Sequence, residues 1–119
     1  MIKQRTKTDC GICVLAMYLG IDYDEAYGLL LNHQPNDLHN GAVTYYMVRI
    51  CADKRRGYGY LRLKEDFDLS IPEMIKVRNI YGTGNTHFVY WDGKKILDPN
   101  EGKEITMSEL INHQFEAYQ

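Results

Sequence analysis

The hydrophobic pattern of this chain changes period once, near residue 60, and that change limits the fold more than any other feature. Before it, apolar residues recur at helical spacing. Residues 10–19 (CGICVLAMYL) place Ile12, Leu15, Ala16 and Leu19 on one face. Thr8 or Asp9 is expected to cap this helix and Gly20 to end it. Residues 23–31 (YDEAYGLLL) predict a second helix, started by Asp22 or Asp24, although Gly28 weakens it. Residues 32–41 read as a loop, and residues 42–52 as a third helix with Val43, Met47, Ile50 and Cys51 inward. A polar, glycine-containing turn (DKRRGYGY, 53–60) follows.

After that turn the pattern is that of strands. YLRL (60–63), EMIKVRNIY (73–81), THFVYWD (86–92) and KKILDP (94–99) alternate or are β-branched. Asp92-Gly93 between the last two is a strong hairpin signal. Thr106, with Glu109 at capping-box spacing, predicts a short helix over 106–114. Helices first and an antiparallel sheet afterwards is an α+β arrangement. With 119 residues and no linker or repeat, the expectation is one domain over 1–119.

Composition narrows the function classes. A formal charge of −2 offers no electrostatic reason to expect nucleic acid as a partner. No apolar run reaches the roughly 18 residues that a membrane span requires, and the basic start MIKQRTKTD precedes no signal-peptide core. Three cysteines, an odd number, argue against a disulfide framework and suit the cytoplasm.

The chemistry centres on Cys10. It stands before the apolar run, at the mouth of the first helix, whereas Cys13 sits inside the run as packing. A helix N-terminus carries partial positive charge, which favours thiolate over thiol and so makes a nucleophile. A nucleophilic cysteine needs a base, and the base needs an orienting group. His87 heads the strand HFVYW, with Val89 and Trp91 on its face, and Asp98 ends the next strand, held extended by Pro99. The hairpin would bring these two together.

Other readings of the same residues are weaker. CGIC could be a redox pair or half of a zinc site, but no strand precedes it and no second ligand pair has matching spacing. GTGN (82–85) lacks the Lys-Ser/Thr of a phosphate loop and reads as a sharp bend before His87. DKRR (53–56) is a solvated basic cluster, and His33, His39 and His113 read as surface residues. No metal or cofactor is expected.

QRTKTDCGICVLAMYLG resembles the start of the bacterial peptidases that remove double-glycine leaders from bacteriocins and related exported peptides. That family has a glutamine, then Asp-Cys-Gly with the cysteine six residues on, then Leu-Ala-Met; here these are Gln4, Asp9-Cys10-Gly11 and Leu15-Ala16-Met17. Its His-Phe-Val leading to Asp-Pro is matched by HFVYWDGKKILDP. The resemblance covers roughly residues 2–19 and 71–117 and implies a papain-like fold. It implies Cys10 as nucleophile, His87 as base, Asp98 as orienter and Gln4 in the oxyanion hole. Gly11 would leave room for a substrate backbone, and Trp91 is expected at the substrate site. The implied activity is cleavage of a peptide or protein substrate after small residues such as glycine. Another thiol acyl transfer (isopeptidase, amidase or transglutaminase-like), or an inactive peptide-binding module displaying some of the ten tyrosines, is the alternative.

Overall fold

The computed structural model describes residues 1–34, 42, 44–53, 61–63, 69–78, 80 and 85–118. Several sequence expectations lie outside them: the 35–41 part of the first loop with His39, the inward side of Val43, most of DKRR with the glycine turn, and residues 82–84 of GTGN.

The period change is where the architecture changes. Three helices come first, α1 (Cys10–Leu19), α2 (Tyr23–His33) and α3 (Thr44–Asp53). Six strands and one further helix follow among the described residues: β1 (Leu61–Leu63), β2 (Glu73–Arg78), β3 (Thr86–Trp91), β4 (Ile96–Asp98), β5 (Lys103–Ile105), α4 (Met107–Ile111) and β6 (Phe115–Tyr118). They form one antiparallel sheet in the order β1-β6-β2-β3-β4-β5. The α+β class read from periodicity is therefore what the chain adopts. No helix among the described residues is long and apolar enough to cross a membrane.

Strand alternation separates two cores. Met74, Phe88 and Tyr90 face the helices and pack with Ile12, Leu15, Leu19, Leu30, Met47 and Ile50. Their neighbours Ile75, Val77, Val89 and Trp91 face the other way and join Ile96, Leu110 and Phe115. Each large aliphatic side chain taken fully out of water contributes about 1.5–3 kcal/mol. α1 is apolar nearly all round because it lies between the sheet and the other helices, with every residue from Gly11 to Ala16 buried.

The helix ends follow capping chemistry in part. Gly20 ends α1 in the left-handed region (φ 71°), its N–H turned back to the carbonyls of Ala16 and Met17. Asp22 caps α2, accepting the Glu25 N–H at 2.8 Å, and that helix runs on through His33. Thr106 caps α4 at 3.1 Å from the Glu109 N–H.

The cap expected on α1 is overturned. Asp9 occupies the N-cap position but makes no side-chain cap bond; its φ of −100° and ψ of 18° are not the extended cap conformation. The Asp9 carboxylate turns back toward the preceding residues instead. The first N–H groups of α1 are thus left without a side-chain cap at the point where Cys10 sits.

Candidate active site

The hairpin at Asp92 builds the first half of the site. Four residues, Asp92 to Lys95, join β3 to β4, which pair Trp91 with Ile96 and Tyr90 with Leu97. Asp92 Oδ1 shapes the turn by accepting the Lys94 and Lys95 N–H groups at 2.7 and 2.8 Å. The strand register then carries Asp98 past the Leu97–Tyr90 pair toward the His87 end of β3.

There the His87 Nε2 lies 2.7 Å from Asp98 Oδ1. Asp98 is fully buried and His87 nearly so, with side-chain exposures of 0% and 12%. An ionised carboxylate only accepts, so Nε2 carries the proton in this bond. The same Asp98 oxygen accepts the Asn100 N–H at 2.9 Å, which fixes the carboxylate from behind. The short 3-10 turn Asn100–Gly102 that begins at Pro99 supplies this donor.

α1 builds the other half. Cys10 is its first residue and half-buried, and it lies close enough to His87 for its thiol to act on the imidazole. With Nε2 committed to Asp98, Nδ1 is the ring nitrogen left for the sulfur. Burial pulls the His87 pKa down, but the hydrogen bonds and charges of Asp98 and Cys10 outweigh it and lift it to about 9. The imidazole is therefore cationic at neutral pH. The other two cysteines are different in kind: both are buried, and burial is the main reason each thiol is pushed up to about 12.

Two adjoining cavities open on this pair. One, of about 340 Å³, is lined by Cys10, Gly11, Ala42, His87 and Phe88 among others. The second, of about 370 Å³, is lined by Gln4, Asn100 and His87. Lys7, Asn85, Thr86 and His87 border both, so they form one cleft passing Cys10. Gly11 keeps the first cavity open and its packing tight: a Cβ there would stand 2.9 Å from the Ala42 Cβ and 3.2 Å from the Met47 Sδ.

Gln4 reaches the cleft on the N-terminal strap that precedes α1. Its backbone N–H donates to the Pro99 carbonyl at 2.8 Å, which ties the strap to the residue after Asp98. Its side-chain amide donates one N–H to the Thr6 carbonyl at 3.1 Å, while Oε1 is buried without a hydrogen-bond partner. The amide has a second N–H to donate.

Cys10, His87, Asp98 and Gln4 are thus gathered in one place, with Gly11 beside them. Trp91 is not. It shares a sheet face with His87, but it lies four residues further along β3, buried in the second core, and its indole N–H donates to the Leu69 carbonyl at 3.2 Å. Alternation along a strand gives the face and not the distance, which is roughly 13 Å over four residues. His33, read as a surface residue, ends α2, where it meets the Leu29 carbonyl of its own helix (2.9 Å) and reaches Asp53 of α3 (3.3 Å).

The role of Asp9 differs from the one its position suggests. Asp9 is buried at 3% exposure and accepts the Arg5 N–H, the Thr6 N–H and the Tyr23 hydroxyl. Its place beside Cys10 marked it only as a cap. Among the described residues no group of three or more His, Cys, Asp or Glu side chains is arranged to hold a metal ion. No family model and no curated protein matches the sequence.

Proposed function

We propose that this chain is a papain-like cysteine peptidase. The observation that carries the reading is His87 bonded through Nε2 to buried Asp98 and close to Cys10, at a helix mouth that no side chain caps. The imidazole beside the sulfur is placed to take up and return the thiol proton, the partner a cysteine nucleophile requires.

The chemistry follows from these positions. The Cys10 sulfur attacks the scissile carbonyl carbon, forming the C–S bond as the carbonyl π pair moves to oxygen. The Cys10 backbone N–H, at the first position of α1, and the second amide N–H of Gln4 are the donors for that oxyanion. His87 passes its Nδ1 proton to the leaving amine as the C–N bond breaks, leaving a thioester on Cys10. Water then gives a proton to Nδ1 and attacks the thioester carbonyl, and the acid product leaves as the thiolate returns. Asp98 holds the ring so that Nδ1 faces the sulfur throughout, and stabilises its charged form.

The tight wall of Gly11, Ala42 and Phe88 beside the sulfur fits small residues next to the cleaved bond, as the resemblance to double-glycine leader peptidases implies. The experiment is hydrolysis of a fluorogenic acetyl-Gly-Gly amide of aminomethylcoumarin, with mass spectrometry of the trapped enzyme. Release of the dye with an acyl adduct on Cys10, both lost in Cys10→Ala, is expected. Release that survives Cys10→Ala would overturn the assignment.

A further inference from the structure

The strap that carries Gln4 has no helix or strand over residues 1–8, so its place in the cleft depends on a few anchors. One is the Gln4 N–H bond to Pro99. The other is a closed set of bonds around the Asp9 carboxylate. Oδ2 accepts the Arg5 N–H at 2.9 Å, and Oδ1 accepts the Thr6 N–H at 3.2 Å. Oδ2 also accepts the hydroxyl of Tyr23, the first residue of α2, at 2.8 Å. The Arg5 guanidinium lies 3.9 Å over the Tyr23 ring and pairs with Asp24 at 3.1 Å. Burial, and then the hydrogen bond to Asp9, push the Tyr23 hydroxyl pKa upward, so it stays a donor.

These contacts join α1, the strap and α2 at one carboxylate. Both backbone donors held by Asp9 lie within two residues of Gln4, and the carboxylate that holds them is one residue from the nucleophile. The clasp therefore ties the residues next to Gln4 to the residue next to Cys10.

We propose that Asp9 and Tyr23 are positioning residues that set the Gln4 amide in the oxyanion site, an inference that rests on the oxyanion role given to Gln4 above. Loss of the Tyr23 hydroxyl removes one of three donors to a buried carboxylate and frees Asp9 to rotate. The strap then shifts, and Gln4 moves with it. The Cys10–His87–Asp98 set, built on α1 and the hairpin, is left in place.

Two reagents separate these effects in the full chain. Iodoacetamide alkylates Cys10 by displacement at carbon, with no oxyanion. The p-nitrophenyl ester of acetylglycine acylates it through one. We expect Tyr23→Phe to slow the p-nitrophenolate burst about tenfold, short of the roughly 10²- to 10³-fold that loss of a whole oxyanion donor produces. Alkylation of Cys10 should stay within about twofold of wild type. Gln4→Ala should slow the burst further, and the double variant should be no slower than Gln4→Ala alone, because both changes act through one amide.

An equal fall in both rates for Tyr23→Phe would show a general structural role and overturn the clasp. A burst unaffected by Tyr23→Phe but slowed by Gln4→Ala would overturn the clasp and leave the oxyanion role standing. A burst indifferent to Gln4→Ala would remove that role and the clasp's purpose together.

Discussion

His87 and Asp98, eleven residues apart in sequence, meet across the β3–β4 hairpin with Nε2 2.7 Å from Oδ1, and the carboxylate is fully buried. A buried charge is tolerable only when it is paired and hydrogen-bonded, and here the partners are the imidazolium and the Asn100 N–H. The pair is thus both a structural element and the orienting half of the proposed site.

That double role has a pH signature. An unfolded histidine titrates near 6.5, whereas His87 in the fold is raised to about 9. Between those values the native state holds a proton that the unfolded state has lost, so stability falls as pH rises. The contribution is full below pH 6.5 and gone above about pH 9. Its size is on the order of 3 kcal/mol. Urea unfolding at pH 6 and pH 9.5 should show this loss in the wild type and a clearly smaller one in Asp98→Asn.

Asp98→Asn should also disable the chemistry with the fold retained. The amide keeps an oxygen for the Asn100 N–H, but it removes the charge that stabilises the imidazolium and offers a donor that favours the wrong tautomer. The p-nitrophenolate burst should fall by roughly 10²- to 10⁴-fold, as in other triads. A burst within threefold of wild type would show that His87 needs no orienter.

Gly11→Ala tests the narrow wall of the cleft. The added methyl would lie 2.9 Å from the Ala42 Cβ, closer than such atoms approach, so α1 and the segment holding Ala42 must move apart. Overpacking of this kind costs about 1–3 kcal/mol. We expect a lower melting temperature together with slower acylation, because the displaced residue adjoins Cys10.

Thr106→Ala is the contrasting case. It removes the hydroxyl that accepts the Glu109 N–H and should cost about 1 kcal/mol. α4 packs on the second core, through Leu110, so alkylation of Cys10 should be unchanged.

Much of this arrangement is legible in the sequence because it is local. The α1 stop at Gly20, the Asp22 and Thr106 caps and the Asp92 turn each rest on residues within a few positions of one another. β5 and β6 were not legible. Lys103–Ile105 is three residues with two exposed charges, and β6 is a four-residue strand set off from α4 by three residues. Yet β6 lies between β1 and β2, a pairing across about forty residues or more that no local pattern encodes.

The site divides in the same way. Cys10, His87 and Asp98 were readable from a helix mouth and a hairpin. Asp9 was readable only as a cap, because its real partners include Tyr23 on the next helix. Trp91 shows the opposite error, a correct face at the wrong distance.

The most direct test of the central claim is the iodoacetamide rate at each cysteine, by mass spectrometry from pH 5 to 9, in wild type and His87→Ala. The account predicts that Cys10 reacts far faster than buried Cys13 and Cys51 at neutral pH, and that His87→Ala removes most of this advantage. Equal rates at the three thiols, or a Cys10 rate indifferent to His87, would contradict it.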